Sequence, residues 1–291
     1  MVRLLRMTAT VTVALALVGA FAGTALACKS ASFSASYSGT AGFSSPSSTY
    51  FIGSGVASQM GSITTDGTAD QFQPDSSCPG GIFNVNVQTL TASNGDQLTV
   101  TSNDVACPTG PGQYHGSGTW EVSGGTGKFA SAVGSGTFDG NSDFVAGTFQ
   151  INLIGSISQG VPFKIDLSGV STITSPTSGD LQGSGNASHL GRATNTGHVE
   201  AHPELPSDTC PYGFTSYNTE TFTAANGDQL SIRSTDVACP QGPGQFLGSG
   251  HWLVTGGTGR FSDALGWGTF NGFVDFTAQT FQISFTGTIR Y

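Results

Sequence analysis

The chain has 291 residues, only 9% of them charged, against about a quarter in an ordinary globular protein. Its 18 acidic residues outnumber 9 basic ones, which disfavours nucleic acid and anionic membrane surfaces as partners. The 43 Gly are accompanied by 20 Phe in regular apolar and polar alternation, which excludes a wholly disordered chain, and the length allows two domains.

Residues 1–27 read as a secretory signal. Arg3 and Arg6 form the basic region, an uncharged run over 7–22 follows, and Ala25-Leu26-Ala27 supplies the cleavage site. An N-terminal membrane anchor is the alternative. Nothing later reaches the roughly 18 apolar residues needed to span a bilayer, so the mature chain is expected to have no transmembrane segment. Without its signal the chain keeps 7 basic and 18 acidic residues, a formal charge of about −11. Cys28 follows the cleavage site directly and is a candidate for lipidation. Ala25 and Leu26 depart from the usual lipobox, so secretion is favoured over a lipid anchor at the cell surface.

Period-2 runs bounded by Gly, Pro, Asn and Ser predict strands over 32–38, 50–58, 62–71, 83–92, 96–103, 114–123, 132–139 and 144–157. Eight short-linked strands in one unit, 28–157, predict an all-β fold, an antiparallel up-and-down barrel, with a β-sandwich as the alternative. A short link, 158–162, leads to a second unit, 163–291, that repeats the first. Upstream the offset is 130 residues, pairing Phe33 with Phe163 and Gly53-Ser54-Gly55 with Gly183-Ser184-Gly185; downstream it is 132, pairing Asn94-Gly95-Asp96-Gln97-Leu98 with Asn226-Gly227-Asp228-Gln229-Leu230.

Cys78 and Cys107 recur as Cys210 and Cys239 with identical spacing. Between each pair lies an Asn-Gly step, which predicts a hairpin with a two-residue turn. Folding there brings Cys107 opposite position 82, so a disulfide across the open end of each hairpin is expected. The rival, a zinc site, lacks accompanying ligands at short spacing.

The duplication also assigns strand faces. Tyr114, Gly116, Gly118, Trp120 and Val122 answer to Phe246, Gly248, Gly250, Trp252 and Val254, whereas His115, Thr119 and Glu121 become Leu247, His251 and Leu253. The constant face is the expected interior and the drifting face the exterior. The following strand repeats Ala132, Gly134, Gly136 and Phe138 as Ala264, Gly266, Gly268 and Phe270. Large residues and glycines of this kind fill a small barrel or leave room in it. A packed core is the first expectation and a lined cavity the second, with Tyr114, Trp120, Phe138, Phe246, Trp252 and Phe270 as candidate lining. Trp267 and Phe273, which replace Ser135 and Asn141, are expected on the outside, exposed or between the barrels.

The segment Gly124-Gly125-Thr126-Gly127-Lys128-Phe129, with Ala132 and Gly134 after it, and its copy from Gly256 to Gly266 resemble a turn of the allene oxide cyclase and dirigent superfamily. The following Gly136-Thr137-Phe138 and Gly140, then Thr148-Phe149 and Ile151, are similar to the same superfamily and to uncharacterised secreted bacterial proteins rich in glycine. The resemblance spans about the last third of each repeat and implies a calycin-like barrel of eight strands. None of the superfamily's catalytic positions is matched, so no residue role carries over.

Three acidic positions are shared by the copies: Asp96 and Asp228, Asp104 and Asp236, Asp143 and Asp275. The first two pairs are read as turn-makers. Asp143 and Asp275 share a face with Phe149 and Phe281; they are candidate acid–base carboxylates at a barrel mouth, or caps of a strand start. In the second copy alone, His198, Glu200 and His202 alternate along one strand face, the chemistry of a divalent metal site or of a variable solvated edge. No cofactor is expected. The favoured function is a secreted non-catalytic module that takes a small apolar ligand, or meets an extracellular glycan or protein at the cell surface. The alternative is a cyclase or isomerase working on an apolar substrate inside the barrel. A cavity of at least about 300 Å³ that reaches the surface and ends on a polar group would favour ligand chemistry.

Overall fold

In a computed structural model, residues 30–45, 48–207 and 210–291 are described. Residues 1–27, read from the sequence as a secretory signal, and Cys28 lie outside them. Strands β1 (Ala31–Ser45), β2 (Ser48–Ala57), β3 (Gly61–Asp75), β4 (Gly81–Ala92), β5 (Gln97–Gly110), β6 (Gln113–Gly125), β7 (Ala132–Asp143) and β8 (Thr148–Gln159) form the first unit. The second contains β9 (Val161–Ser175), β10 (Ser178–Ala187), β11 (Gly191–Ser207), β12 (Gly213–Ala224), β13 (Gln229–Gly242), β14 (Gln245–Gly257), β15 (Leu265–Asp275) and β16 (Thr280–Arg290). Within each unit every strand pairs antiparallel with its sequence neighbours, and β1 with β8 and β9 with β16 close each sheet. Two tandem eight-stranded barrels result, and closure sets the sandwich aside.

The strands outrun their expected limits because bulges absorb residues that read as breaks. Pro108 still pairs with Tyr114, and one of the two register shifts in this strand pair falls just after it, between Pro108 and Gly110, a position where a strand tolerates proline. The predicted link also shrinks. β8 ends at Gln159 and β9 begins at Val161, which leaves Gly160 alone between the barrels.

Both predicted disulfides are present, Cys78–Cys107 and Cys210–Cys239. The hairpin register corrects the two-residue turn. Gly95 N–H donates to Ala92 O and Ala92 N–H to Asp96 O, both at 2.9 Å, so Ser93, Asn94 and Gly95 make a three-residue loop. Gly95 takes the left-handed φ of 88° that this loop requires. Ala106, not Cys107, therefore stands opposite Ile82.

One end of each barrel is packed solid. Trp120 is 1% exposed, meets Phe33 edge to face at 5.5 Å and donates Nε1–H to Ile154 O. Trp252 and Phe163 repeat the contact in the second barrel. On the outside, β15 lies against β6 and β7. Trp267 is half-buried there and donates Nε1–H to Ala132 O at 2.7 Å, while Arg233 pairs with Glu121 across the same junction. Trp267 thus takes the interdomain place expected of it, and Phe273 is 38% exposed.

Candidate functional site

The opposite end of each barrel is open. It is the end that carries the disulfide hairpin and the β1–β2, β5–β6 and β7–β8 turns, or their copies. A cavity of about 270 Å³ enters the first barrel and one of about 320 Å³ the second. Aromatic rings form each rim: Phe43 stacks on Phe144 at 4.7 Å with Tyr114 edge-on to it, and Phe246 lies between Phe214 and Phe276. Of the six predicted lining residues, Tyr114, Phe138, Phe246 and Phe270 line these cavities. Trp120 and Trp252 do not; they sit farther along β6 and β14 and plug the packed end.

The floor is polar and comes from β4 and β5. Their loop sets Asn84 opposite Asp104 and Asn86 opposite Ser102, and alternation then turns all four inward, where all are buried. Asn84 Nδ2 donates to Asp104 Oδ2 at 3.3 Å, and Asn86 Nδ2 donates to the other carboxylate oxygen. Burial pushes the Asp104 carboxyl up to about 7, against the pull of the two amides. Gly116 makes the space, since a Cβ there would lie 2.7 Å from Asp104 Oδ2.

The second barrel repeats this on β12 and β13. Ser216 and Asn218 donate to Asp236, whose carboxyl is again raised by burial, and Gly248 stands beside it as Gly116 does beside Asp104. The reading of Asp104 and Asp236 as turn-makers is therefore wrong. They are the buried acids of the cavities. Asp96 and Asp228 do brace turns, each exchanging hydrogen bonds with Asn94 or Asn226.

One step deeper the copies differ. In the first barrel Tyr37 donates its hydroxyl to Gln88, and burial raises the phenol above its ordinary range. In the second, Leu167 and Glu220 hold those places. Glu220 accepts from Asn195, and burial raises its carboxyl to about 7. Glu220 was not singled out from the sequence.

No family model, curated protein or solved structure matches this chain.

Asp143 and Asp275 are not mouth acids with raised pKa. Asp143 Oδ1 accepts from the backbone of Val145 and Ala146 and Oδ2 from Gln113; Asp275 accepts from Thr277, Ala278 and Gln245 in the same way. These donors hold both carboxyls below the usual range. Both residues cap the turn between the last two strands. Stability from such a group is present above its unfolded pKa and lost as pH falls through its folded pKa. Asp143→Ala is expected to lower the urea midpoint slightly at pH 7, with a difference that shrinks toward pH 3; a difference that persists at acid pH would remove the capping role.

His198, Glu200 and His202 point outward. His198 Nδ1 meets Asp180 Oδ1 at 2.7 Å, and His202 lies edge-on to Tyr217. Among the described residues no group of three metal-ligating side chains assembles, so the alternation places these residues on one face without forming a centre. His115, Glu121 and His251 are on the exterior as expected, His115 beside Asp139 at 3.4 Å. No helix among the described residues is long and apolar enough to cross a membrane.

Proposed function

We propose that the protein is a secreted, non-catalytic binder that takes one small, largely apolar molecule in each barrel. The observation that carries this reading is the second cavity. Its volume of about 320 Å³ reaches the range of small-molecule sites, its mouth is aromatic, and its floor is an acid held by Ser216 and Asn218. An apolar body loses its water against Phe246, Phe270 and Ile283, while a single polar head reaches the floor. The signal segment and the two disulfides support export.

A second reading has its own support. A carboxyl raised to about 7 in a cavity is suited to proton transfer near neutral pH, and the resemblance to the allene oxide cyclase and dirigent superfamily points to isomerisation or cyclisation of an apolar substrate. Fold-level likeness is a weak warrant for activity, and binding remains the preferred function.

Calorimetric titration of the mature chain with medium-chain alcohols and ketones tests both readings. Saturable binding of two molecules per chain is expected. Ala201→Phe, which fills the partly exposed mouth of the second cavity, is expected to abolish one of the two sites. Recovery of a rearranged product would favour the catalytic reading, and absence of binding by every probe would overturn both.

A further inference from the structure

Granted that each barrel holds a small amphiphile, we infer that the second cavity selects a cationic one, an apolar molecule with a primary ammonium head, whereas the first takes a neutral head. The difference lies in what each floor offers. In the first barrel Gln88 is occupied by the Tyr37 hydroxyl and does not line the cavity, leaving Asp104 as its acid. In the second barrel no phenol exists at the matching place, and Glu220 and Asp236 both line the same cavity. Register sets these two acids four residues apart along the β12–β13 pair, with Asn218 between them.

Asn218 gives independent evidence for a missing donor. It is only 7% exposed and spends its Nδ2 on Ser234 and Asp236, while its Oδ1 has no partner. A buried acceptor left without a donor is costly. The floor therefore presents two carboxylates and an amide oxygen, all acceptors when the acids are ionised. An ammonium group supplies three donors and the compensating charge; an alcohol supplies one donor and no charge. Among the described residues no Lys, Arg or His lines the cavity to serve instead, and the titratable groups facing it are Asp236 and Glu220. The rings of Phe246, Phe270 and Phe276 around the space add the favourable face that aromatic residues present to a cation. An anionic head would meet like charge.

The experiment uses two probes with the same tail, n-octylammonium and 1-octanol, titrated into the whole mature chain. Sites are assigned by their loss in Ala201→Phe. The second site is expected to prefer octylammonium, with an affinity that rises between pH 5 and pH 8 as Glu220 loses its proton, while octanol affinity stays flat. Glu220→Gln installs the residue that the first copy carries at the matching position. It should weaken octylammonium relative to octanol by roughly tenfold or more, a change of about 1.4 kcal/mol in the difference between the two probes. Equal affinity for the two probes, or octylammonium binding untouched by both pH and Glu220→Gln, overturns cation selectivity while leaving ligand binding intact. Octanol binding at both sites with no octylammonium binding also overturns it, whereas silence from both probes overturns the binding reading beneath it. Should Glu220→Gln fail to fold, the pH dependence of the wild-type chain decides.

Discussion

Raising the pH from 5 to 8 is expected to destabilise the ligand-free protein, and Asp104→Asn is expected to remove most of that loss from the first barrel. Burial raises Asp104 from 3.8 to about 7. An acid whose folded pKa lies above its unfolded one contributes stability that is whole below the unfolded value and lost as pH rises through the folded value. At about 1.4 kcal/mol per unit, Asp104 thereby withdraws about 4 kcal/mol from its barrel by pH 8, about 3 of it above pH 5. Glu220, raised to about 7 from 4.5, acts with the same sign on the second barrel, and Asp236 adds to it. Asp143 and Asp275 oppose them only at acid pH, where their lowered carboxyls begin to protonate. Maximum stability should therefore fall near pH 4 to 5, below the usual range of roughly 5 to 8. Asp104→Asn should match or slightly trail the parent at pH 5 and exceed it at pH 8, since an amide cannot ionise. Urea denaturation at both pH values measures this; the same slope in parent and variant would mean that Asp104 is ionised at little cost.

The barrels, their duplication and their cysteine bridges were legible because each has a local signature: period 2, a constant offset, a repeated spacing. The floor was not, and the cause is one residue of register. Taking Asn94-Gly95 as the whole turn puts Asp104 opposite Val85, away from Asn84, and its place ahead of a cysteine then reads as that of a turn-maker. The real loop includes Ser93 and sets Asp104 opposite Asn84. A one-residue slip reverses which side chains share a face. β4 adds a second obstacle, because its amphipathicity is inverted along half its length. Asn84, Asn86 and Gln88 are buried, while Val87 is 44% exposed. A rule that sends apolar residues inward chooses the wrong face there. The better signal was parity carried back from Leu90 and Ala92 and forward from Leu98 and Val100, all buried. The retention of Asn86, Ser102 and Asp104 as Asn218, Ser234 and Asp236 pointed the same way. The glycines were likewise read only in part: Gly116 and Gly248 give room to an acid, and Gly155 and Gly287 give room to the tryptophan plugs.

Opening one disulfide should weaken its own barrel far more than its sister, and the mouth far more than the packed end. The bridges Cys78–Cys107 and Cys210–Cys239 each join residues 29 apart. Closing a loop of that size restricts the unfolded chain by about 3 to 4 kcal/mol on the chain-entropy account. Each bridge also ties the run into the disulfide hairpin to the strand that bears the cavity acid: Cys239 lies three residues beyond Asp236 on β13, and Cys210 lies three before Gly213 at the start of β12. Removing the second bridge by Cys210→Ser and Cys239→Ser frees the two strand ends that hold Ser216 and Asp236 in register. At the far end, Trp252 keeps its bonds to Thr269 and Thr286, and Leu230 and Phe222 stay buried. The double variant should therefore lose about 3 kcal/mol in the unfolding of the second barrel, with amide exchange speeding first at Ser216 and Asp236 and last at Leu230 and Ile232. The second cavity should lose its ligand before its barrel unfolds, because the floor depends on register and the plug does not. Uniform acceleration of exchange along β12 and β13 would show that the bridge stabilises the barrel as a whole and has no special hold on the cavity.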